Sequence, residues 1–196
     1  ATWDMFPGVD GVVGCSDFER IADVVHDVAS GRRVYKVGVP DALYDERSPR
    51  VLGPPGHIPY VKIAEGCGNC CSYCTIPSIR GALRSRTLPS VVREVVALAD
   101  EGVREVNLIA QDTTAYGTDI APDVTLPALL FALEDTDIPW LRILYTHPAH
   151  VTDALLHAMS KVESVVPYLD MPIQHISDCV LKSMKRIDTK EKTTAL

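Results

Sequence analysis

The chain of 196 residues contains no apolar run long enough to cross a bilayer, so no membrane-spanning helix is expected from it. No charged stretch followed by an apolar core stands at its start, so no secretory leader is expected either. Basic residues are not in excess. With 19 Lys and Arg against 26 Asp and Glu, the formal net charge is −7, and the global electrostatic footprint of a nucleic-acid binder is missing. One local absence runs the other way. From Gly66 to Arg93 there is no Asp or Glu, while Arg80, Arg84, Arg86 and Arg93 are all cationic. Such a stretch is either a solvated basic loop or a place that attracts an anionic ligand or cluster.

Cysteine is present but unevenly placed: four of the six fall in the segment CGNCCSYC, which starts at Cys67. Cys67, Cys71 and Cys74 have the spacing C-x-x-x-C-x-x-C, which lets three thiolates wrap one face of a cubane iron–sulfur cluster. Four cysteines around such a cluster give an electron carrier. Three leave one iron open to bind a substrate or cofactor. A structural zinc site is the competing reading; it normally takes four ligands in two separated pairs, and only His57 offers a distant fourth. Disulfides between near-adjacent cysteines bridge poorly, and a metal-like cysteine pattern fits a reducing, cytoplasmic compartment.

The first 37 residues read as the end of a small α/β unit. Ser16 and Glu19 have capping-box spacing, and Ile21, Val24, Val25 and Val28 follow helical periodicity up to Gly31. Residues 38–59 hold Pro40, Pro49, Pro54, Pro55 and Pro59 with Gly53 and Gly56, and read as a linker or extended strap. From Tyr60 a strand-then-helix rhythm begins. Strands are predicted at Tyr60–Ala64, Val106–Ala110, Trp140–Tyr145 and Tyr168–Met171. Helices are predicted at Pro89–Glu101, Leu126–Glu134, Thr152–Ser160 and from a Ser177 cap to Lys185. Residues 60–196 thus read as consecutive βα units, which implies an α/β fold with a parallel sheet or part of a barrel. Each predicted strand runs at its carboxyl end into polar residues: the cysteines, Gln111-Asp112-Thr113-Thr114, Thr146-His147 and Gln174-His175. Active sites of βα barrels gather on that rim, although loop Thr and Asp also serve as turn and cap residues.

These residues resemble the radical S-adenosylmethionine enzymes, whose mark is a C-x-x-x-C-x-x-C loop after the first strand of a partial barrel. Within them the stretch YVKIAEGCGNCCSYCTIPSIRGALRSR (60–86) is similar to the signature of the methylthiotransferases. IAQDTTAYG (109–117) and YLDMPIQHIS (168–177) resemble the RimO-type branch, which modifies a ribosomal protein, more than the branch that modifies tRNA adenosine. The resemblance implies a partial radical-SAM barrel with a [4Fe-4S] cluster on Cys67, Cys71 and Cys74. It implies S-adenosylmethionine on the open iron, and Tyr73 against the cluster and adenine. Gln111 and Gln174 are the candidate cofactor contacts by position at the strand ends. The implied reaction adds a methylthio group to the β-carbon of an aspartate in a small-subunit ribosomal protein near the decoding centre, with an outside electron donor. A tRNA methylthiotransferase and a non-catalytic metal-binding module are the alternatives.

The chain departs from that family in two ways. The family's second cluster uses three further amino-terminal cysteines, whereas only Cys15 precedes the strap here. The fourth βα unit is followed by a polar tail, which reads as a cut inside the barrel. Any nucleic-acid contact is therefore expected only through parts of the full protein missing here. Cys70 is expected to be a packed thiol and Cys179 to lie on the apolar face of the last helix.

Overall fold

The structure is a computed structural model that describes residues 5–51 and 58–196; His57, the distant ligand considered above, lies outside the described residues. At the amino end, strands β1 (Gly11–Val13) and β2 (Val34–Lys36) pair in parallel across helix α1 (Ile21–Ala29). Gly31, at φ +82°, ends the helix in the left-handed conformation that glycine adopts without penalty. The reciprocal Ser16–Glu19 cap does not form. Ser16 Oγ instead accepts the Ala42 N–H at 3.3 Å, and a 3-10 turn at Phe18–Arg20 leads into the helix.

The main sheet is parallel and ordered β3 (Tyr60–Lys62), β6 (Glu105–Ile109), β7 (Trp140–Ile143). Its register explains its two faces. Val61, Leu108 and Ile143 form one rung, and all three are buried. The next rung, Tyr60, Asn107 and Arg142, points the opposite way because side chains alternate along a strand. Helices α3 (Leu88–Asp100), α4 (Leu126–Ala132) and α5 (Asp153–Lys161) cover the apolar face with Val91, Val95, Leu98, Leu129, Leu130 and Leu155. Thr125 and Thr152 start α4 and α5 by accepting the N–H groups of Ala128 and Leu155.

The strand predicted at Tyr168–Met171 is not formed. A single parallel bridge, Leu141 to Val165, occupies the fourth position instead. Val166 N–H donates to Leu141 O at 3.0 Å, and Pro167, which has no N–H, ends the ladder there. Asp170 is spent closing the end of β7: its carbonyl accepts the Thr146 N–H and its carboxylate the Tyr145 N–H, both at 2.9 Å. The helix expected to run to Lys185 is shorter, α6 at Asp178–Ser183, and Ser177 makes no side-chain cap. A short helix, α7 (Lys190–Ala195), follows.

β3 is an edge strand, and the strap covers it. Glu46 accepts from Ser90 Oγ at 2.6 Å and from Arg93 at 2.6 and 2.8 Å, and Arg50 pairs with Glu94 at 3.0 Å. Arg50 also bonds the Tyr60 carbonyl. The Ser90 hydroxyl, then the backbone N–H of Glu46 itself and the Arg93 guanidinium, hold the Glu46 carboxyl down to about 2. The basic stretch is consumed internally. Arg86, only 2% exposed, bonds Ser90 and the Lys62 carbonyl and pairs with Glu94, while Arg84 bonds the carbonyls of Arg80 and Ala82.

Candidate cluster and cofactor site

Beyond β3 the chain forms a two-stranded antiparallel neck, β4 (Ala64–Glu65) with β5 (Arg84–Ser85), which the alternation pattern does not reveal. The cysteine loop is strung between these strands. Gly66 opens it at φ +75°, where a Cβ would lie 2.0 Å from the Ala82 carbonyl oxygen, so the crossing admits only glycine. Cys67 N–H donates to Gly81 O at 3.2 Å and closes the neck. Below it, buried Glu65 pairs with Lys62 at 2.7 Å and Arg80 at 3.0 Å. Burial pushes the Glu65 carboxyl up, but Lys62, the Gly66 N–H and Arg80 together hold it below its ordinary value. After Cys74, helix α2 (Ile76–Arg80) carries the Ile-Pro-Ser segment.

Cys67, Cys71 and Cys74 are all half-buried, whereas Cys70, Cys15 and Cys179 are exposed. The packed positions expected for Cys70 and Cys179 are therefore not found: Cys70 sits at an outward turn of the loop, and the short α6 buries only Leu181. Burial raises the Cys67 thiol, partly offset by the Asn69 N–H on its sulfur. Cys67 and Cys74 line a cleft of about 420 Å³ together with Lys62, Ile76, Ile109, Ala110, Gln111 and Tyr145. Gln111 Oε1 is buried and has no hydrogen-bond partner among the described residues. Tyr145 holds a left-handed backbone at φ +60°, a strained state that clusters at functional sites.

Tyr73 and Gln174 lie outside that lining. The Tyr73 hydroxyl accepts from Arg186 Nη1 at 3.3 Å and rests against the Cys71 thiol; burial, ahead of these contacts, raises it. Gln174 is exposed, at φ +60°, beyond the point where the fourth strand would have ended. Arg186 pairs with Asp188 at 3.0 Å, and its buried Nη2 has no hydrogen-bond partner among the described residues.

A second group of polar residues braces the loop; Asp112, Thr114 and His147 are among the strand-end residues noted in the sequence, whereas Asn69 and His150 are not. Asp112 Oδ2 accepts from Asn69 Nδ2 and from His150 Nδ1, each at 2.8 Å, and Asp112 Oδ1 accepts from Thr114 Oγ1 at 2.5 Å. His147 stacks on His150 with ring centroids 4.8 Å apart. Burial alone would raise Asp112, but His150, Thr114 and Asn69 outweigh it and hold the carboxyl below its ordinary value; Asp112 in turn raises His150. Burial, then Arg186, lowers His147. The spacing of His147 and His150 in HPAH is the sequence signal that could have found His150.

Comparison of the sequence with known proteins identifies a family. Residues 61–196 match the Radical SAM superfamily. The chain is 44% identical over 187 residues to the ribosomal protein uS12 methylthiotransferase RimO of Caldanaerobacter subterraneus subsp. tengcongensis, covering 95% of this chain and 43% of that protein. It is 45% identical to the protein of the same name from Heliobacterium modesticaldum, covering 92% of this chain and 39% of that protein. The chain thus spans less than half the length of these relatives. Among solved structures, the radical S-adenosylmethionine methyltransferase TsrM of Kitasatospora setae, bound to tryptophan and a S-adenosylmethionine analogue, superposes with a TM-score of 0.66 over 94% of this chain and 42% of that one. At 18% identity that likeness shows the shared fold. The chain belongs to the radical SAM superfamily and is similar over nearly its whole length to the RimO-type methylthiotransferases.

Proposed function

We propose that this chain is the cluster-bearing part of a methylthiotransferase that acts on ribosomal protein uS12. Residues 60–196 supply the radical-SAM half-barrel, 38–59 the strap, and 1–37 the end of an amino-terminal unit. Cys67, Cys71 and Cys74 would hold a [4Fe-4S] cluster, and S-adenosylmethionine would lie in the adjoining cleft. Bound there, the pair would supply one-electron chemistry: an electron from the outside donor breaks the C5′–S bond of S-adenosylmethionine, leaving methionine and a 5′-deoxyadenosyl radical able to take a hydrogen from the β-carbon of an aspartate.

The observation that carries the reading is the buried Gln111 Oε1, without a hydrogen-bond partner among the described residues, in the same cleft as Cys67 and Cys74. A buried acceptor without a donor is costly, and a ligand amino group in that cleft would relieve it. The chain's own residues have defined tasks. The β4–β5 neck presents the thiols, Lys62–Glu65–Arg80 fixes the base of the loop, and Tyr73 with Arg186 backs Cys71. Gln174 has no comparable support. The aspartate substrate, the outside electron donor and the second cluster belong to the whole protein, working in the cytoplasm. Among the described residues no helix is long and apolar enough to cross a membrane.

Reductive cleavage tests the proposal. The reconstituted chain, given dithionite and S-adenosylmethionine, is expected to release 5′-deoxyadenosine, and Gln111→Ala to weaken cofactor binding by about tenfold, the equivalent of one charge-assisted hydrogen bond. Equal release from the unaltered chain and from Cys71→Ala would contradict it.

A further inference from the structure

The ligating atoms of Asp112, His147 and His150 lie within 4.8 Å of one another and have the look of a metal site. Their hydrogen bonds argue otherwise. Both Asp112 oxygens already accept, from Thr114 on one side and from Asn69 and His150 on the other. His147 Nδ1 accepts the Ala149 N–H at 3.2 Å. A satisfied set of this kind braces something, and what it reaches is the cysteine loop.

Asn69 is the point of contact. Its side-chain amide is held by Asp112 at 2.8 Å, while its own backbone N–H points at Cys67 Sγ at 3.4 Å. One residue therefore joins the carboxyl end of β6 to a ligand sulfur. Hydrogen bonds to ligand sulfurs stabilise the added electron of a reduced cluster and raise its potential, and residues outside the ligand set tune metal centres in this way.

We propose that Asn69 is a positioning residue for the cluster: Asp112 grips its side chain, this keeps its backbone N–H on the Cys67 sulfur, and the hydrogen bond sets the reduction potential of the site. The assignment rests on the cluster reading given above. His150 and Thr114 hold the Asp112 carboxylate oriented, so the grip is braced on two sides.

A redox titration followed by electron paramagnetic resonance tests it on the reconstituted 196-residue chain. Asn69→Ala is expected to move the midpoint potential to more negative values with iron content unchanged, and Asn69→Gln, which restores an amide donor, to move it back. With Asp112→Ala already present, Asn69→Ala should add no further shift, because a double-mutant cycle isolates the link from the separate effect of the Asp112 charge. Should Asp112→Ala not fold, return of the potential in Asn69→Gln decides alone. An identical shift in both backgrounds, or no shift in Asn69→Ala, overturns the assignment. Absence of any [4Fe-4S] signal from the unaltered chain overturns the cluster reading itself, and this assignment with it.

Discussion

Gly66 carries the tightest steric constraint at the mouth of the site, since its φ of +75° and the Ala82 oxygen leave no room for a methyl group. Gly66→Ala is expected to strain the neck by about 1–3 kcal/mol and to cut the iron bound after reconstitution to a small fraction, read by iron and sulfide assay. The Asp112–His150 pair gives a prediction with a sign. Asp112, held below 3.8, contributes stability that is lost as pH falls through its folded value; His150, held above 6.5, contributes stability present below 6.5 and lost as pH rises through its folded value. Urea midpoints of the metal-free chain should therefore decline on the alkaline side of about pH 6.5, and less steeply in His150→Gln. At this scale the sequence is legible where the pattern is local: it sets Cys67 and Cys74 on one loop and Gln111 at a strand end, and the fold brings these three into one cleft. It is opaque where partners are remote: Asn69 meets Asp112 across 43 residues, and His150 meets it across 38.

The elements divide in the same way. The two longer strands, β6 and β7, are readable because β-branched and leucine residues sit between helices with clear ends, such as Pro89 in the first turn of α3 and Gly102 at φ +82° just beyond it. The β4–β5 neck is not readable, because two-residue strands separated by the whole cysteine loop carry no period. The fourth strand is misplaced because apolar content at Tyr168–Met171 competes with Pro167, which stops the ladder after Val166. The strap reads as a linker by composition, yet it acts as an edge cover through charges that only the fold assembles. Arg86→Ala removes the buried guanidinium that bonds Ser90, the Lys62 carbonyl and Glu94, leaves Glu94 to Arg50 alone, and is expected to cost about 1–3 kcal/mol in urea unfolding. Arg93→Ala, at an exposed guanidinium, should cost less than about 1 kcal/mol. Leu129→Ala, in the fully buried seam between α4 and the sheet, is expected to cost about 2–5 kcal/mol.

For the whole molecule, the parallel sheet has one face sealed by helices and one polar face, which bears Lys62, Asn107 and Arg142. Loops at the carboxyl ends of β3 and β6 meet in one cleft, in keeping with the superfamily match over residues 61–196. With Cys15 alone ahead of the strap, the chain is expected to take up roughly four irons, one cluster, and to leave uS12 without a methylthio group by mass spectrometry unless the rest of the protein is supplied. The most direct test of the account is anaerobic reconstitution followed by electron paramagnetic resonance of the reduced chain with and without S-adenosylmethionine. The account predicts a [4Fe-4S] signal that changes when S-adenosylmethionine is added and disappears in Cys71→Ala. A colourless, zinc-loaded protein with no such signal would contradict it.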